Sequence, residues 1–369
     1  MNTIQDIRLQ EFTLENLPLI KKLRDLHFKT KTAVCIERAK LMTEFLKNNK
    51  TPNENPQVVR AKAINHYLTN RKALLFDDNL LGGTTTSKPI GAPLYPEFMG
   101  LSIWPELDTI SSRNINPQEL TKEDAETCNF EIFPFWMDNT VLEVTRKRFN
   151  NPLSLQLLEK IVYYISGKAG CISHCVPGYS RALAEGLEVL IAEASDKEKE
   201  LLTREKGKEI DQQIAFYQAV QIALQGIINY AGNVAEEAQK LALKETDFFR
   251  KQDLEQIAAI CAQVPAKPAR NFREAANALW LCQVGIHAEN INMAMSPGRL
   301  DQVLYPYFKS DSENQKITIE EALNICCCLW LKIADNTNLV PEAAEKLWGE
   351  RVRLLRLHLV VLIKMARMR

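Results

Sequence analysis

Cysteine and histidine side chains are the groups in this sequence best suited to bind a metal or attack a substrate. Cys171, His174 and Cys175 form the tightest cluster, a CxxxC spacing with a histidine between the thiols. A structural zinc or cluster site needs four ligands, and two more at a suitable spacing are missing. The pattern therefore favours a structural or pocket-lining role for these residues over a metal site.

A second group of thiols, Cys326 to Cys328, precedes Trp330 within an amphipathic helical pattern. Small apolar thiols are common core residues in such a helix. We therefore expect them to pack in the core and not to serve a metal or redox function.

Gly82 and Gly83, followed by Thr84, Thr85 and Thr86, superficially suggest a phosphate-binding loop. However, no Gly-Lys-Ser or Gly-Lys-Thr follows, and no strong strand precedes the glycines. The surrounding stretch, residues 74–96, is rich in glycine and proline and predicts an irregular extended segment.

Composition excludes several classes of protein. The 369 residues carry 46 Lys plus Arg and 46 Asp plus Glu, which is typical of a soluble globular protein. No apolar leader and no run of about 18 apolar residues occurs, so we expect a cytoplasmic protein with reduced thiols and no membrane span. Residues 351–369 hold six basic residues and no acidic one, so the rest of the chain is mildly acidic and gives no reason to expect nucleic acid as a partner.

The elements that position these residues are mainly helices, with a few strands. Residues 197–241 are too long for one ordinary helix, and we expect two helices with bends or breaks among Gly207, Gly226 and Gly232. Thr318, followed by first-turn acids, predicts a helix start. Helices are predicted near residues 11–26, 35–49, 57–71, 121–130, 138–148, 153–166, 179–194, 197–241, 245–262, 271–287, 298–308 and 318–334.

Five blocks, in order and without large insertions between them, resemble segments of the glycyl radical enzymes, the superfamily of pyruvate formate-lyase. They are IERAKLMTE (36–44), DDNLLGG (77–83) with GAPLYPE (91–97), HCVPGYSRALAEGL (174–187), PARNFREA (268–275) and SPGRLDQVLYPY (296–307). The last block is the most specific. The segment before it most resembles the branch of trans-4-hydroxyproline dehydratase and glycerol dehydratase-like members.

This resemblance implies the N-terminal part of a ten-stranded α/β barrel wrapped in helices, truncated, and radical chemistry on small oxygenated or aminated substrates. In the family, a cysteine in a GCxE loop forms a thiyl radical, and a glycine in an RVxGY segment stores the radical installed by an S-adenosylmethionine iron–sulfur activase. Neither segment occurs in these residues. We therefore expect no catalytic residue, no metal and no directly bound cofactor here. The partners implied are a small-molecule substrate, the activase and a second copy in a homodimer, with no nucleic acid and no membrane.

The resemblance also implies a substrate site. In relatives, the turn of the HCVPGY block and the residues before the SPGR block face the substrate. The positions implied as substrate-binding are His174, Tyr179, Asn290, Asn292, Met293 and Ser296.

Several of these positions depart from the family pattern or allow a second interpretation. Met293 stands where an acidic residue would hold a charged substrate, so the resemblance does not identify the substrate. Asn290, Asn292 and Ser296 are suited either to hydrogen-bond substrate hydroxyls or to cap the turn before Pro297. Arg299 and Asp301 are expected to form a structural ion pair or helix-start contact.

The family resemblance stops near Glu350, where Arg, Leu, Val and Met begin to dominate. One interpretation is a basic amphipathic helix that lies on a membrane or docks a partner. Another is a frameshift, because LVVLIKMARMR (359–369) can be encoded by codons that, read one nucleotide earlier, give LGGIDKDGKDA. That string matches the LGGxDxxGxDA segment of relatives. We expect residues 350–369 to be a frameshifted, non-native tail.

The sequence thus predicts that residues 1–349 form the N-terminal portion of a pyruvate formate-lyase-type domain. The expected enzyme is a radical dehydratase or lyase, or a formate C-acetyltransferase-like enzyme, and the fragment is expected to be inactive alone. The alternative is a non-catalytic helical binding or scaffold protein that regulates a full-length paralogue. A scaffold should be stable and monodisperse, whereas a fragment should expose apolar barrel edges.

Overall fold

The computed structural model describes residues 14–49, 53–76, 78–98, 100–149, 152–153, 175–205, 207–291 and 295–348. The chain in these ranges is mostly helical, as the periodicity predicts. Its α-helices are α1 (Pro18–Lys29), α2 (Glu37–Asn48), α3 (Pro56–Asn70), α4 (Lys122–Thr127), α5 (Phe133–Trp136), α6 (Val141–Phe149), α7 (Tyr179–Glu185), α8 (Leu187–Leu202), α9 (Lys208–Ala242), α10 (Phe248–Gln263), α11 (Phe272–Glu289), α12 (Leu300–Glu313), α13 (Ile319–Ala334) and α14 (Glu342–Trp348).

Two short strands form the described sheet. β1 (Ala33–Cys35) pairs in parallel with β2 (Gly91–Pro93), with Val34 opposite Ala92. Single bridges extend the sheet on both sides, from Ala33 to Glu119 and from Gly91 to Asn336. β2 is buried along its whole length, so this sheet lies inside the structure and not on its surface. The irregular segment predicted for residues 74–96 is correct except at β2.

Helix α11 is the centre of the main hydrophobic core. Its sequence, FREAANALWLCQVGIHAE, is apolar on nearly every face, and a helix of that kind must be enclosed by others. Helices α3, α7, α9, α10, α12 and α13 all pack against it. Trp280, 1% exposed, lies at the middle of this helix. The packing of these helices around α11 therefore fixes the direction of its axis.

The glycines divide the helices differently from the sequence-based prediction. A single helix predicted over 179–194 is wrong, because Gly186 separates α7 from α8 with φ +80°, and a Cβ there would lie 2.5 Å from the Ala266 carbonyl oxygen. The two helices predicted over 197–241 are present, and the break is at Gly207, which precedes α9. Gly226 and Gly232 do not interrupt α9. Gly226 instead allows close packing on α3, since its Cβ would lie 2.9 Å from Asn65 Cα.

Two further predictions concern α13. Thr318 forms a capping box with Glu321, which confirms the predicted helix start. Cys326 and Cys328 are buried in the core and Cys327 packs against it, as expected for structural thiols. The helix predicted over 153–166 lies almost wholly outside the described residues. In the part of the chain that is described, no helix is both long and apolar enough to span a bilayer.

Candidate functional site

The carboxyl end of α11 is capped by side chains from distant parts of the chain. The last carbonyls of a helix lack partners within it. Here Tyr95 Oη donates to the His287 carbonyl at 2.6 Å, Arg38 Nε to the Ala288 carbonyl at 2.7 Å, and Arg60 Nη2 to the Glu289 carbonyl at 2.6 Å. The remaining carbonyl of the last turn, that of Ile286, accepts the Asn290 amide at 2.9 Å. These bonds fix the direction in which Asn290 and Ile291 leave the helix.

Arg38 is itself held by a buried ion pair. Its Nη2 lies 2.6 Å from Glu97 Oε1 and its Nη1 lies 3.2 Å from Glu97 Oε2, with both side chains almost fully buried. The guanidinium also stacks over the Tyr95 ring at 4.3 Å. Burial alone would raise the pKa of Glu97, but the charge and hydrogen bonds of Arg38 outweigh it, so the pKa lies below its ordinary value. The pair therefore stays charged at neutral pH.

Gln283 connects the two segments that the sequence places around the substrate. Its Oε1 accepts a hydrogen bond from Tyr179 Oη, at the start of α7. Its Nε2 lies 3.0 Å from His287 Nε2 and 3.5 Å from the Met295 carbonyl oxygen. All four residues are buried. One amide thus joins the segment that begins α7 to the segment that follows α11.

The ionisation states within this cluster follow from burial. Desolvation lowers the pKa of His287 to about 4, so its imidazole is neutral at pH 7. If Gln283 Nε2 donates to His287 Nε2, the proton of the neutral ring is on Nδ1. Burial likewise raises the pKa of Tyr179, which keeps the phenol protonated as a donor to Gln283. The cluster is a set of neutral hydrogen-bonding groups.

The structure links the blocks that carry the described members of the sequence-predicted site. Ser296 is exposed, and its amide donates to the Cys175 carbonyl at 3.1 Å, which joins the two substrate-facing blocks directly. Asn290 is 8% exposed and follows the capped end of α11. Tyr179 lies deeper, 3% exposed, against Gln283. His174, Asn292 and Met293, the other predicted positions, lie outside the described residues.

Arg299 and Asp301 form the ion pair expected of them, with Arg299 Nε donating to Asp301 Oδ1 at 2.7 Å at the start of α12. Cys175 is partly buried, whereas Cys171 lies outside the described residues. Across the described ranges, no group of three or more His, Cys, Asp or Glu side chains is arranged to hold a metal ion.

Sequence reasoning missed Gln283 and His287. A signal was present, because they are polar residues four apart, and so on one face, within an otherwise apolar helix. Arg38 and Glu97 lie inside two of the family-like blocks, but neither was predicted as a site residue. Chemically, the cluster consists of buried, neutral groups that hydrogen-bond one another, which suits positioning of the adjoining segments more than general acid–base catalysis.

Comparison with known proteins agrees with this arrangement. A model of the pyruvate formate lyase-like family matches residues 14–351. An isethionate sulfite-lyase from Nitratidesulfovibrio vulgaris is 30% identical over 321 residues, which cover 84% of this chain and 38% of the relative. A trans-4-hydroxy-L-proline dehydratase from Clostridioides difficile is 30% identical over 319 residues, or 85% of this chain and 39% of the relative.

Among solved structures, a glycyl radical enzyme from Archaeoglobus fulgidus aligns with a TM-score of 0.81 and 32% identity, covering 89% of this chain and 41% of that one. The chain therefore spans about two fifths of the length of the relatives it matches. The expected fold is confirmed: the helices and short strands are part of a glycyl radical enzyme barrel. With the family match over most of its length, the chain belongs to the pyruvate formate lyase-like family of glycyl radical enzymes.

Proposed function

We propose that this chain supplies the substrate-facing N-terminal portion of a glycyl radical dehydratase or lyase that acts on a small oxygenated substrate. The observation that carries the proposal is the convergence at Gln283, where Tyr179 and Met295 approach the same amide. Substrate contacts are assigned to His174, Tyr179, Asn290, Asn292, Met293 and Ser296.

Two kinds of support bear on the reaction class. Relatives that match most of this chain are named as a lyase and a dehydratase, which favours those reactions over acetyl transfer. The buried imidazole of His287 and amide of Gln283 are neutral, which supports a substrate that carries hydroxyl groups over one that needs a buried charge as its partner. A glycyl radical installed by an activase supplies the bond-breaking chemistry in this family, whereas the described residues bind and orient.

We further propose that residues 1–369 do not turn over substrate alone, since no GCxE or RVxGY segment occurs among them. Residues 1–349 are assigned to the pyruvate formate-lyase-type domain and residues 350–369 to a frameshifted tail. The family match, which ends at residue 351, supports this division. Resequencing the gene from the Trp348 codon onward tests it. A closed frame with no LGGIDKDGKDA would overturn the frameshift.

The functional test compares the purified chain with a frame-restored protein, each treated with activase and S-adenosylmethionine. For the chain alone we expect neither a glycyl radical signal in electron paramagnetic resonance nor turnover of isethionate, trans-4-hydroxy-L-proline or 1,2-propanediol. The restored protein should show both the radical and turnover of one such substrate. In it, His174→Ala should abolish turnover but keep the radical, and the surface control Lys309→Gln should change neither. Turnover by the 369-residue chain would refute the proposal of inactivity.

The rival function, a helical scaffold that regulates a full-length paralogue, makes a different surface prediction. Large apolar side chains lie exposed on the described surface, among them Phe28, Phe130, Leu243, Phe248 and Phe249, each at least 70% exposed. Such exposure fits a part whose packing partners lie elsewhere in a larger protein. Analytical ultracentrifugation separates the two: association or aggregation supports the fragment, and a stable monodisperse chain supports the scaffold.

A further inference from the structure

A cavity of about 160 Å³ lies at the opposite end of the two strands from the candidate substrate site. Thr30 and Ile90, which come shortly before β1 and β2, line this cavity. Arg38 and Glu97, which cap and support the end of α11, come after the same strands. Because β1 and β2 are parallel, the cavity is at their amino ends, and we call it the amino-end cavity.

Lys332 of α13 lines the amino-end cavity and is only 6% exposed. Its Nζ donates to the Gly83 carbonyl at 2.8 Å and lies 5.9 Å from the Trp280 ring. Among the described residues, no carboxylate forms an ion pair with it. An ammonium group has three N–H donors, and a buried charge is costly unless an opposite charge pairs with it. Lys332 therefore favours an anion in the adjoining cavity.

Lys88 also lines the cavity, but its Nζ lies 3.6 Å from Oδ2 of Asp124, so its charge is already paired. Asp335 also lines the cavity, with His27 Nδ1 2.9 Å from its Oδ1. The negative charge of Asp335 would repel a dianion such as hydrogen phosphate more strongly than a monoanion. Thr85, from the Gly-Gly-Thr-Thr-Thr stretch, is 7% exposed and adds a hydroxyl to the wall.

The rest of the wall is apolar and sets the size of the occupant. Leu23, Leu26, Phe76 and Leu331 also line the cavity. An engineered cavity of about 150 Å³ holds benzene, a ligand of six heavy atoms. We propose that the amino-end cavity binds a short-chain monocarboxylate of about six heavy atoms, whose carboxylate pairs with Lys332 and whose hydrocarbon chain contacts Phe76 and Leu331.

Butyrate has this size and charge, so the test is calorimetric titration of the full chain with sodium butyrate at constant ionic strength. We expect saturable binding of butyrate, weaker binding of acetate, which lacks the chain, and none of butanol, which lacks the charge, or of phosphate. Lys332→Gln should weaken butyrate binding at least about tenfold, because a hydrogen-bonded charge contributes that much or more. Lys309→Gln, an exposed lysine paired with Glu313, is the matched control and should leave it unchanged.

A second variant keeps the proposal testable if Lys332→Gln does not fold. Phe76 is 40% exposed, so Phe76→Ala should be tolerated. It should reduce the affinity for butyrate several-fold and leave that for acetate nearly unchanged, since only butyrate reaches the ring. The proposal is overturned if butyrate does not bind, if phosphate binds equally well, or if both variants bind butyrate as the unaltered chain does. None of these results bears on the substrate site at the other end of the strands.

Discussion

Replacement of Arg38 by Met tests whether the buried ion pair holds the end of α11. The substitution removes two hydrogen bonds to Glu97 and the hydrogen bond to the Ala288 carbonyl. It also leaves the carboxylate of Glu97, a residue that is 2% exposed, without its charged partner. Breaking one side of a buried pair typically costs about 3–5 kcal/mol. That loss is a large share of the roughly 5–15 kcal/mol by which domains are stable.

Urea unfolding followed by circular dichroism measures this cost. Arg60→Met is the control, because it removes a cap from the same helix end at a partly exposed side chain and should cost about 1 kcal/mol or less. The double variant Arg38→Met/Glu97→Leu should be more stable than Arg38→Met alone, since it leaves no unpaired charge. Hydrogen exchange should also rise at residues 288–291 in Arg38→Met. A loss no greater than that of Arg60→Met would refute the reasoning.

The loss of stability in Arg38→Met should also change with pH in a definite direction. In the unaltered chain the pKa of Glu97 lies below its ordinary value of 4.5, so the pair's contribution is present above that pH and is lost as the pH falls through the lower, folded-state pKa. Without Arg38, burial would raise that pKa, and folding would take up a proton. The stability difference between Arg38→Met and the unaltered chain should therefore narrow between pH 7 and pH 5. A constant or widening difference would contradict the assigned electrostatics.

Three further predictions address the cluster and the helix ends. Gln283→Leu should increase proteolytic cleavage at residues 175–178 and 295–298 and lower the urea midpoint, because three buried groups lose a partner; unchanged cleavage would contradict the bridging role. The pKa of His287 is about 4 in the folded chain against 6.5 when unfolded, so the unfolded state binds more protons between these values and stability should fall on acidification from pH 6.5 to 4. His287→Gln should flatten that part of the plot of urea midpoint against pH. An unaltered plot would contradict the assignment of this pH dependence to His287. Gly186→Ala should destabilise the fold by more than about 1 kcal/mol, because φ is +80° and the Ala266 carbonyl oxygen would clash with the Cβ. Gly232→Ala, whose Cβ would have no atom within 4 Å, should stabilise α9 by about 0.5–1 kcal/mol. Thermal unfolding of both variants measures these effects, and equal effects would contradict the two assignments.

Local features of the fold could be predicted from sequence where the deciding contacts are local. The capping box at Thr318 needs only a residue three positions away, and its helix begins where expected. The glycines were harder, because a glycine favours a break, a close contact or neither depending on what packs against it. Gly186 packs against the backbone at Ala266, and Gly226 packs against α3 at Asn65. Neither neighbour can be identified from spacing along the chain.

The candidate site shows the same limit at longer range. The blocks around Tyr179 and Ser296 could be assigned to one site by resemblance, and the bond from the Ser296 amide to Cys175 joins them. Gln283 could not be assigned from the sequence, because its partners Tyr179 and Met295 lie 104 and 12 residues away along the chain and its role depends on contact with both. A buried polar residue on an apolar helix indicates that hydrogen-bond partners lie nearby, but it does not identify them.

The caps on α11 explain why separate blocks of the sequence matter together. Tyr95, Arg38 and Arg60 come from the PLYPE block, the IERA block and α3, yet they bond three successive carbonyls. A helix end satisfied only by water would let Asn290 and Ile291 leave in many directions, whereas three fixed donors select one. Asn290 directly follows this helix end, so we expect the ion pair of Arg38 with Glu97 to influence the candidate site through α11. Loss of Arg38 should then impair substrate binding in a frame-restored enzyme more than loss of Arg60, a partly exposed cap of the same helix end, does.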